Sequence, residues 1–221
     1  MLSSNVTVQY VSEPTEDLVE EAVKVFSDLM PEDPLTISLV AGDRRLIPTM
    51  ARAMIKPIAL VVGDMYTATD ESGKLAGFTL WLPPGRNLYD TGKEQLEMGY
   101  LDLMDKLPEE GRAYFAETMG KDFPKVIDSK TGIESTELNT YWCSFAFVKA
   151  EYQGKGVTRA MFELAFEKAK RLGATMALAT TAERNVAIYQ KLGFELKGYE
   201  LMPSQWMPWP VWIFARDANT I

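Results

Sequence analysis

Val6, Val8 and Tyr10 alternate with polar residues, a period of two that predicts an opening strand. After Pro14 and Thr15 the period lengthens. Leu18, Ala22, Val25, Phe26 and Leu29 recur at helical spacing behind an acidic first turn, and MPEDP ends that helix. A second helical pattern runs from about Asp43 to Ile55 and is expected to stop before Pro57, because proline removes a helix donor. Strand character returns at Asp64–Thr69 and Leu75–Leu82, joined by the turn DESGK and closed sharply by Trp-Leu-Pro-Pro-Gly. From about Leu88 to Val126 the pattern is helical and more polar, with breaks at Pro108 and Pro124. It reads as a helical insertion, about 88–130, over one end of the sheet.

The stretch Leu138–Val148, LNTYWCSFAFV, is aromatic and β-branched with almost no charge, which predicts a buried central strand. Val157, Ala160, Met161, Leu164, Ala165 and Leu172 then mark one apolar helix face, capped by Gly173. Thr175–Thr181 is a short strand. Thr180 and Glu183 have the spacing of a capping box for a helix carrying Val186, Ile188, Tyr189 and Leu192. Strands from Gly193-Phe194 and over Trp206–Ala215 complete a mixed α/β order in one domain, 1–221.

Composition narrows the chemistry. Of 221 residues 47% are hydrophobic, so a packed core is expected. Acidic residues outnumber basic ones 31 to 23, a formal charge of -8 that argues against nucleic acid as a partner. The chain has no histidine, which removes Ser-His and Cys-His devices and histidine-held metals. The single Cys143 rules out an internal disulfide framework and points to a reducing compartment. The start MLSSNVTVQYVSEP lacks a signal-peptide pattern, and the apolar run Ile55–Val62 is too short to span a bilayer. A cytoplasmic protein without membrane or metal is expected.

Between the central strand and the next helix lies EYQGKGVTRAM, Glu151–Met161. A dinucleotide fingerprint fails there, because Arg159 stands where the third glycine belongs and no acidic residue follows at the ribose distance. The P-loop pattern fails as well. The physics of the loop persists: N–H groups converge at a helix N-terminus, Gly154 and Gly156 allow an anion close to the backbone, and Lys155 adds charge. A pyrophosphate suits it; a plain strand-to-helix turn is the alternative.

Gln153-Gly-Lys-Gly-Val157, behind Phe145-Ala-Phe-Val148, resembles the acyl-CoA pyrophosphate loop of the GNAT N-acetyltransferase superfamily. Asn185-Val-Ala-Ile-Tyr189-Gln-Lys-Leu-Gly193-Phe194 resembles its second signature, a helix ending in Tyr-x-x-Leu-Gly-Phe. The motif-bearing resemblance covers roughly Asn139 to Tyr199, and the layout is similar to puromycin N-acetyltransferase-like members. One departure is Thr158, where the loop motif has Gly or Ala; its hydroxyl is placed to donate to a phosphate.

The resemblance implies a mostly antiparallel central sheet flanked by helices and an acetyl-CoA-binding core at about 138–200. It implies direct transfer of acetyl to a primary amine, most simply of a small molecule. Protein lysine or N-terminal acetyltransferase activity, and a non-catalytic CoA-binding module, are the rivals. Acetyl-CoA would meet Phe147, Val148, Gln153, Gly154, Lys155, Gly156, Val157, Thr158, Asn185 and Tyr189. The N–H near Val148 would stabilise the oxyanion, and Tyr189 would protonate the departing thiolate. The general base stays open: Glu137, placed at the start of the central strand, or water ordered by Asn139, Tyr141 or Ser144. Trp81 and Trp206 are expected near the pocket mouth. Monomer and homodimer are both compatible with the chain.

Overall fold

The computed structural model describes residues 5–89, 92 and 96–217. Those left out include 90, 91 and 93–95 of the expected insertion and the first four residues of the chain. Among the described residues seven strands form one sheet: β1 (Val6–Val11), β2 (Asp64–Asp70), β3 (Leu75–Leu82), β4 (Tyr141–Val148), β5 (Met176–Thr180), β6 (Glu195–Met202) and β7 (Trp209–Arg216). Their order is β1-β2-β3-β4-β5-β7-β6, and only β4 and β5 run parallel. One face is covered by α1 (Glu16–Leu29), α2 (Pro34–Leu39), α3 (Ile47–Pro57) and the insertion. The insertion contributes α4 (Leu101–Lys106), α5 (Glu109–Tyr114), α6 (Phe123–Thr131) and the single turn α7 (Thr136–Asn139). The other face carries α8 (Val157–Leu172) and α9 (Val186–Lys191).

Several boundaries differ from the sequence pattern. The second long helix does not stop before Pro57 but passes through it and leaves by a wider turn, in which Gly63 N–H donates to Ile58 O at 2.8 Å. Proline deprives the Ala53 carbonyl of its helical donor, and the Tyr89 hydroxyl takes over at 2.6 Å. Asp33-Pro34 both stops one helix and starts another: Asp33 caps α2 by accepting from Thr36 N–H at 2.8 Å, with Pro34 in the first turn. In the insertion Pro108 is a break, whereas helix winding continues across Pro124 near the start of α6.

The apolar face of α8 is rotated from the expected one. Val157, Met161, Phe162, Ala165 and Ala169 are buried, while Leu164 and Leu172 are 37% and 50% exposed. The Thr180/Glu183 capping box does not form. Thr180 Oγ1 instead accepts from Ala182 N–H at 3.3 Å and Asn185 Nδ2 at 3.0 Å. The last strand begins at Trp209 rather than Trp206, because Ser204 Oγ holds the Trp206 and Met207 N–H groups in a turn.

Candidate active site

Strand β4 is built to part from its neighbour. It pairs with β5 only at Tyr141, Trp142 and Cys143, opposite Met176, Ala177 and Leu178. Beyond Cys143 the pairing ends, while β3 follows β4 to Val148. The parting point coincides with a bulge: Leu80 pairs with Phe145 and Trp81 with Cys143, so Ser144 is the extra residue. Side chains change parity there. Tyr141, Cys143, Ala146 and Val148 belong to the α8 face, and Trp142, Phe145 and Phe147 to the α1 face.

The ladder decides which main-chain groups border the gap. Lys149 N–H donates to Ala76 O, so the Gly77–Val148 pair is the non-hydrogen-bonded kind. Val148, and by alternation Ala146, therefore turn their N–H and C=O groups away from β3 into the gap. Phe147, expected there, points its main chain at β3; its ring packs on Phe26 and Phe78 instead. The Val148 carbonyl is already engaged, by Gln153 Nε2 at 2.9 Å, which leaves its N–H as the open donor.

Through that bond the Gln153 side chain ties the loop to the strand. Gly154 and Gly156 adopt φ of 73° and 79°, and Gly156 begins α8 with no side-chain cap. Ala160 N–H, donating to Gly156 O at 3.1 Å, closes the first turn of the helix. The N–H groups of Val157, Thr158 and Arg159 ahead of it are the orphan donors every helix start presents. Val157 itself is buried and offers only its N–H, Thr158 is half-buried, and Lys155 is exposed beside the Tyr152 ring. Arg159 reaches α9 instead, donating to Lys191 O at 3.1 Å.

Tyr189 lies next to Cys143, the last β4 residue paired with β5. Its ring packs on Phe162, Phe194 and Phe214, and the residue keeps 7% of its surface exposed. Burial, then the adjacent Cys143 thiol, push its pKa up, so it stays protonated through the physiological range. Complete proton transfer to a thiolate is uphill already for unperturbed groups, near 10 against about 8.5, and burial widens the gap. The hydroxyl is fitted to donate a hydrogen bond rather than to surrender its proton. Cys143 is no nucleophile: burial raises its thiol, which donates to Phe145 O at 3.4 Å. Asn185 spends one N–H of its amide on Thr180, at 3.0 Å.

Glu137 is displaced from the place expected for it. It lies in α7, before β4 begins, because Asn139 and Thr140 still close a turn after Ser135. The split from β5 opens beyond Cys143, partway along the strand. Burial, then the Asp128 charge, push its carboxyl up to about 7, but toward the α6–α7 junction. Asn139 donates to Glu134 O there, and the Tyr141 hydroxyl donates to buried Asp64 at 2.8 Å. Of the four groups considered for base chemistry only Ser144 borders the gap. Trp81 is fully buried against Tyr141 and Phe162, away from any mouth, and Trp206 packs on Tyr114. Two hollows of about 340 Å³, one beside Arg216 and Lys197 and one beside Val11 and Leu60, lie elsewhere.

Sequence reasoning passed over Asp33. It stands after α1, and Thr181, the residue beyond β5, donates to its Oδ2 at 2.5 Å. Asp-Pro before an apolar run is a helix-start signature, so the second role of that pair was readable; the contact with Thr181 was not.

A family model described as an acetyltransferase (GNAT) domain matches residues 110–196. An uncharacterised N-acetyltransferase of Schizosaccharomyces pombe is 27% identical over 151 residues, 68% of this chain and 60% of that protein. Over residues 110–196 the chain is similar to GNAT acetyltransferases. Solved GNAT structures share its fold across nearly the whole length. Arylalkylamine N-acetyltransferase 2 of Aedes aegypti superposes with a TM-score of 0.63 at 13% identity, covering 96% of this chain and 100% of that one. A structure described as histone acetyltransferase HPA2 and related acetyltransferase, from Corynebacterium glutamicum, gives 0.61 at 16% identity over 98% and 99%. Among the described residues, no helix is long and apolar enough to cross a membrane.

Proposed function

We propose that the chain is an acetyl-CoA-dependent N-acetyltransferase that acetylates a primary amine of a small molecule in the cytoplasm. The observation that supports this reading is the β4–β5 split, with the open Val148 N–H beside it, the uncapped start of α8 after the loop, and Tyr189 next to Cys143, where the pairing ends. The residues fit the co-substrate. Gly154 to Thr158 offer main-chain donors to a pyrophosphate without a capping side chain in the way. The pantetheine arm adds the missing strand beside Val148 and Ala146, pairing with main-chain groups the split leaves exposed.

The acceptor ammonium first loses a proton to solvent. Its nitrogen then bonds to the acetyl carbon as the C–S bond breaks. The Val148 N–H donates to the carbonyl oxygen while negative charge builds there. Tyr189 donates to the departing sulfur, and the second proton released by the nitrogen ends on the thiol. The activities for which the structural relatives are named, on arylalkylamines in one case, support an amine acceptor. The insertion over the α1 face favours a covered pocket.

Calorimetry with acetyl-CoA, followed by release of free CoA thiol across a panel of amines and lysine peptides, tests the reading. Micromolar binding with amine-dependent thiol release is expected. Binding without release on any amine would leave a CoA-binding module, and no binding would remove the function altogether.

A further inference from the structure

Helix α9 carries Tyr189 but is only six residues long, too short to hold its own direction. Its last carbonyls need donors from outside the helix. Main-chain groups supply three of them: Leu192 N–H donates to Ile188 O at 3.1 Å, Gly193 N–H to Gln190 O at 2.9 Å and Phe194 N–H to Tyr189 O at 3.0 Å. The next two carbonyls receive guanidinium groups. Arg159, from the first turn of α8, donates to Lys191 O at 3.1 Å, and Arg216, from the end of β7, donates to Leu192 O.

Arg216 is the firmer of the two. It is half-buried where Arg159 is exposed, and its guanidinium lies 3.7 Å from the centre of the Phe166 ring of α8. Burial lowers its pKa, and no carboxylate offsets that shift. Gly193 is the counterpart of this contact. Its φ is 85°, and a Cβ there would stand 3.0 Å from Arg216 Cζ. Two residues earlier on β7, Phe214 packs on the Tyr189 ring with centroids 5.5 Å apart. One strand thus braces both the ring and the end of the helix that bears it.

We infer that Arg216 is a positioning residue for acetyl transfer, with Arg159 as its weaker companion: together they clamp the end of α9 and so aim the Tyr189 hydroxyl. The inference rests on the acetyltransferase reading above and adds to it the groups that fix the proton donor. A hydrogen bond to the departing sulfur weakens steeply with angle, and it matters only while the C–S bond breaks. Loss of the clamp therefore falls on kcat and spares acetyl-CoA binding.

The test uses the full chain and CoA-thiol release with phenethylamine, spermidine, an aminoglycoside and a lysine peptide, kinetics being followed on whichever is turned over. Arg216→Met keeps an apolar stem on Phe166 but removes the donors. It is expected to lower kcat roughly tenfold, with acetyl-CoA affinity by calorimetry unchanged, and Arg216→Lys, which restores a donor, to recover part of that loss. Joined to Tyr189→Phe, Arg216→Met is expected to lower kcat further by less than about twofold, because residues acting as a unit are not additive. A merely structural arginine would cost the same in both backgrounds. That result would overturn the inference, as would an unaltered kcat in Arg216→Met or in Tyr189→Phe. Should Arg216→Met fail to fold, Arg159→Met at its exposed position repeats the comparison: kcat falls several-fold, and only where Tyr189 is present, or the inference fails. No turnover by the wild type on any of these amines would instead defeat the acetyltransferase reading, and this inference with it.

Discussion

Two side chains, Tyr189 and Glu137, show how environment assigns a role. Tyr189 is held by rings on several sides and driven more firmly into its protonated form by burial and by Cys143. A group that cannot ionise is a durable hydrogen-bond donor, so Tyr189→Phe should cut turnover at least tenfold while acetyl-CoA affinity stays nearly constant. Unchanged steady-state kinetics in that variant would take Tyr189 out of the chemistry. Glu137 gains nothing comparable from its burial. Its folded pKa is raised from 4.5 to about 7, so the native state holds the proton more tightly than the unfolded chain. Its contribution to stability is full below the unfolded value and is lost as pH rises toward 7. With part of the residue open to solvent, the loss comes to about 2 kcal/mol. Glu137→Gln should therefore raise Tm at pH 8 by roughly 4–8 °C, leave it unchanged near pH 4, and leave turnover alone. Equal Tm values at pH 8 would show that the carboxyl is solvated.

At the scale of elements, α8 is positioned by a polar contact as much as by its apolar stripe. Lys168 lies 2.5 Å from Asp64 Oδ1, and Asp64, 5% exposed at the start of β2, also accepts from the Tyr10 and Tyr141 hydroxyls. Burial leads in raising the Tyr66 and Tyr141 phenols, Tyr66 to about 12, so both remain donors in this cluster. The arrangement locks the far end of α8 to β1, β2 and β4, and with it the direction in which the helix start aims. Lys168→Met keeps the apolar stem but strands a buried carboxylate, which costs on the order of 3 kcal/mol. Thermal unfolding at pH 7 should show a drop of roughly 5–10 °C. A drop under about 2 °C would mean that the tyrosine hydroxyls alone satisfy Asp64. The same logic of substituted partners explains Pro57, where Tyr89 occupies the carbonyl that the helix abandons.

Over the whole molecule, one parallel strand pair in an otherwise antiparallel sheet creates the split on which the proposed function rests. Strands that cross over through α8 pair only briefly, at three positions. The insertion is fastened to the same end of the molecule. Tyr114 of α5 accepts from Trp209 Nε1 at 2.6 Å and donates to Pro203 O, while Ser38 of α2 bonds Ser204 and the Met207 carbonyl. Helices distant in sequence are thus tied to the turn between β6 and β7.

What could be read from the chain alone was local. The periods of two and 3.6 located the strands and the longer helices, glycines at 154 and 156 marked the loop, and Tyr189 could be placed by its motif, since each depends on residues near one another. The face of α8, the passage through Pro57, the retreat of Glu137 from the site and the approach of Asp33 to Thr181 depended on partners dozens of residues away. Burial and hydrogen-bond satisfaction are collective quantities. A residue's spacing says what it can form, and only packing supplies the neighbour that decides whether it does.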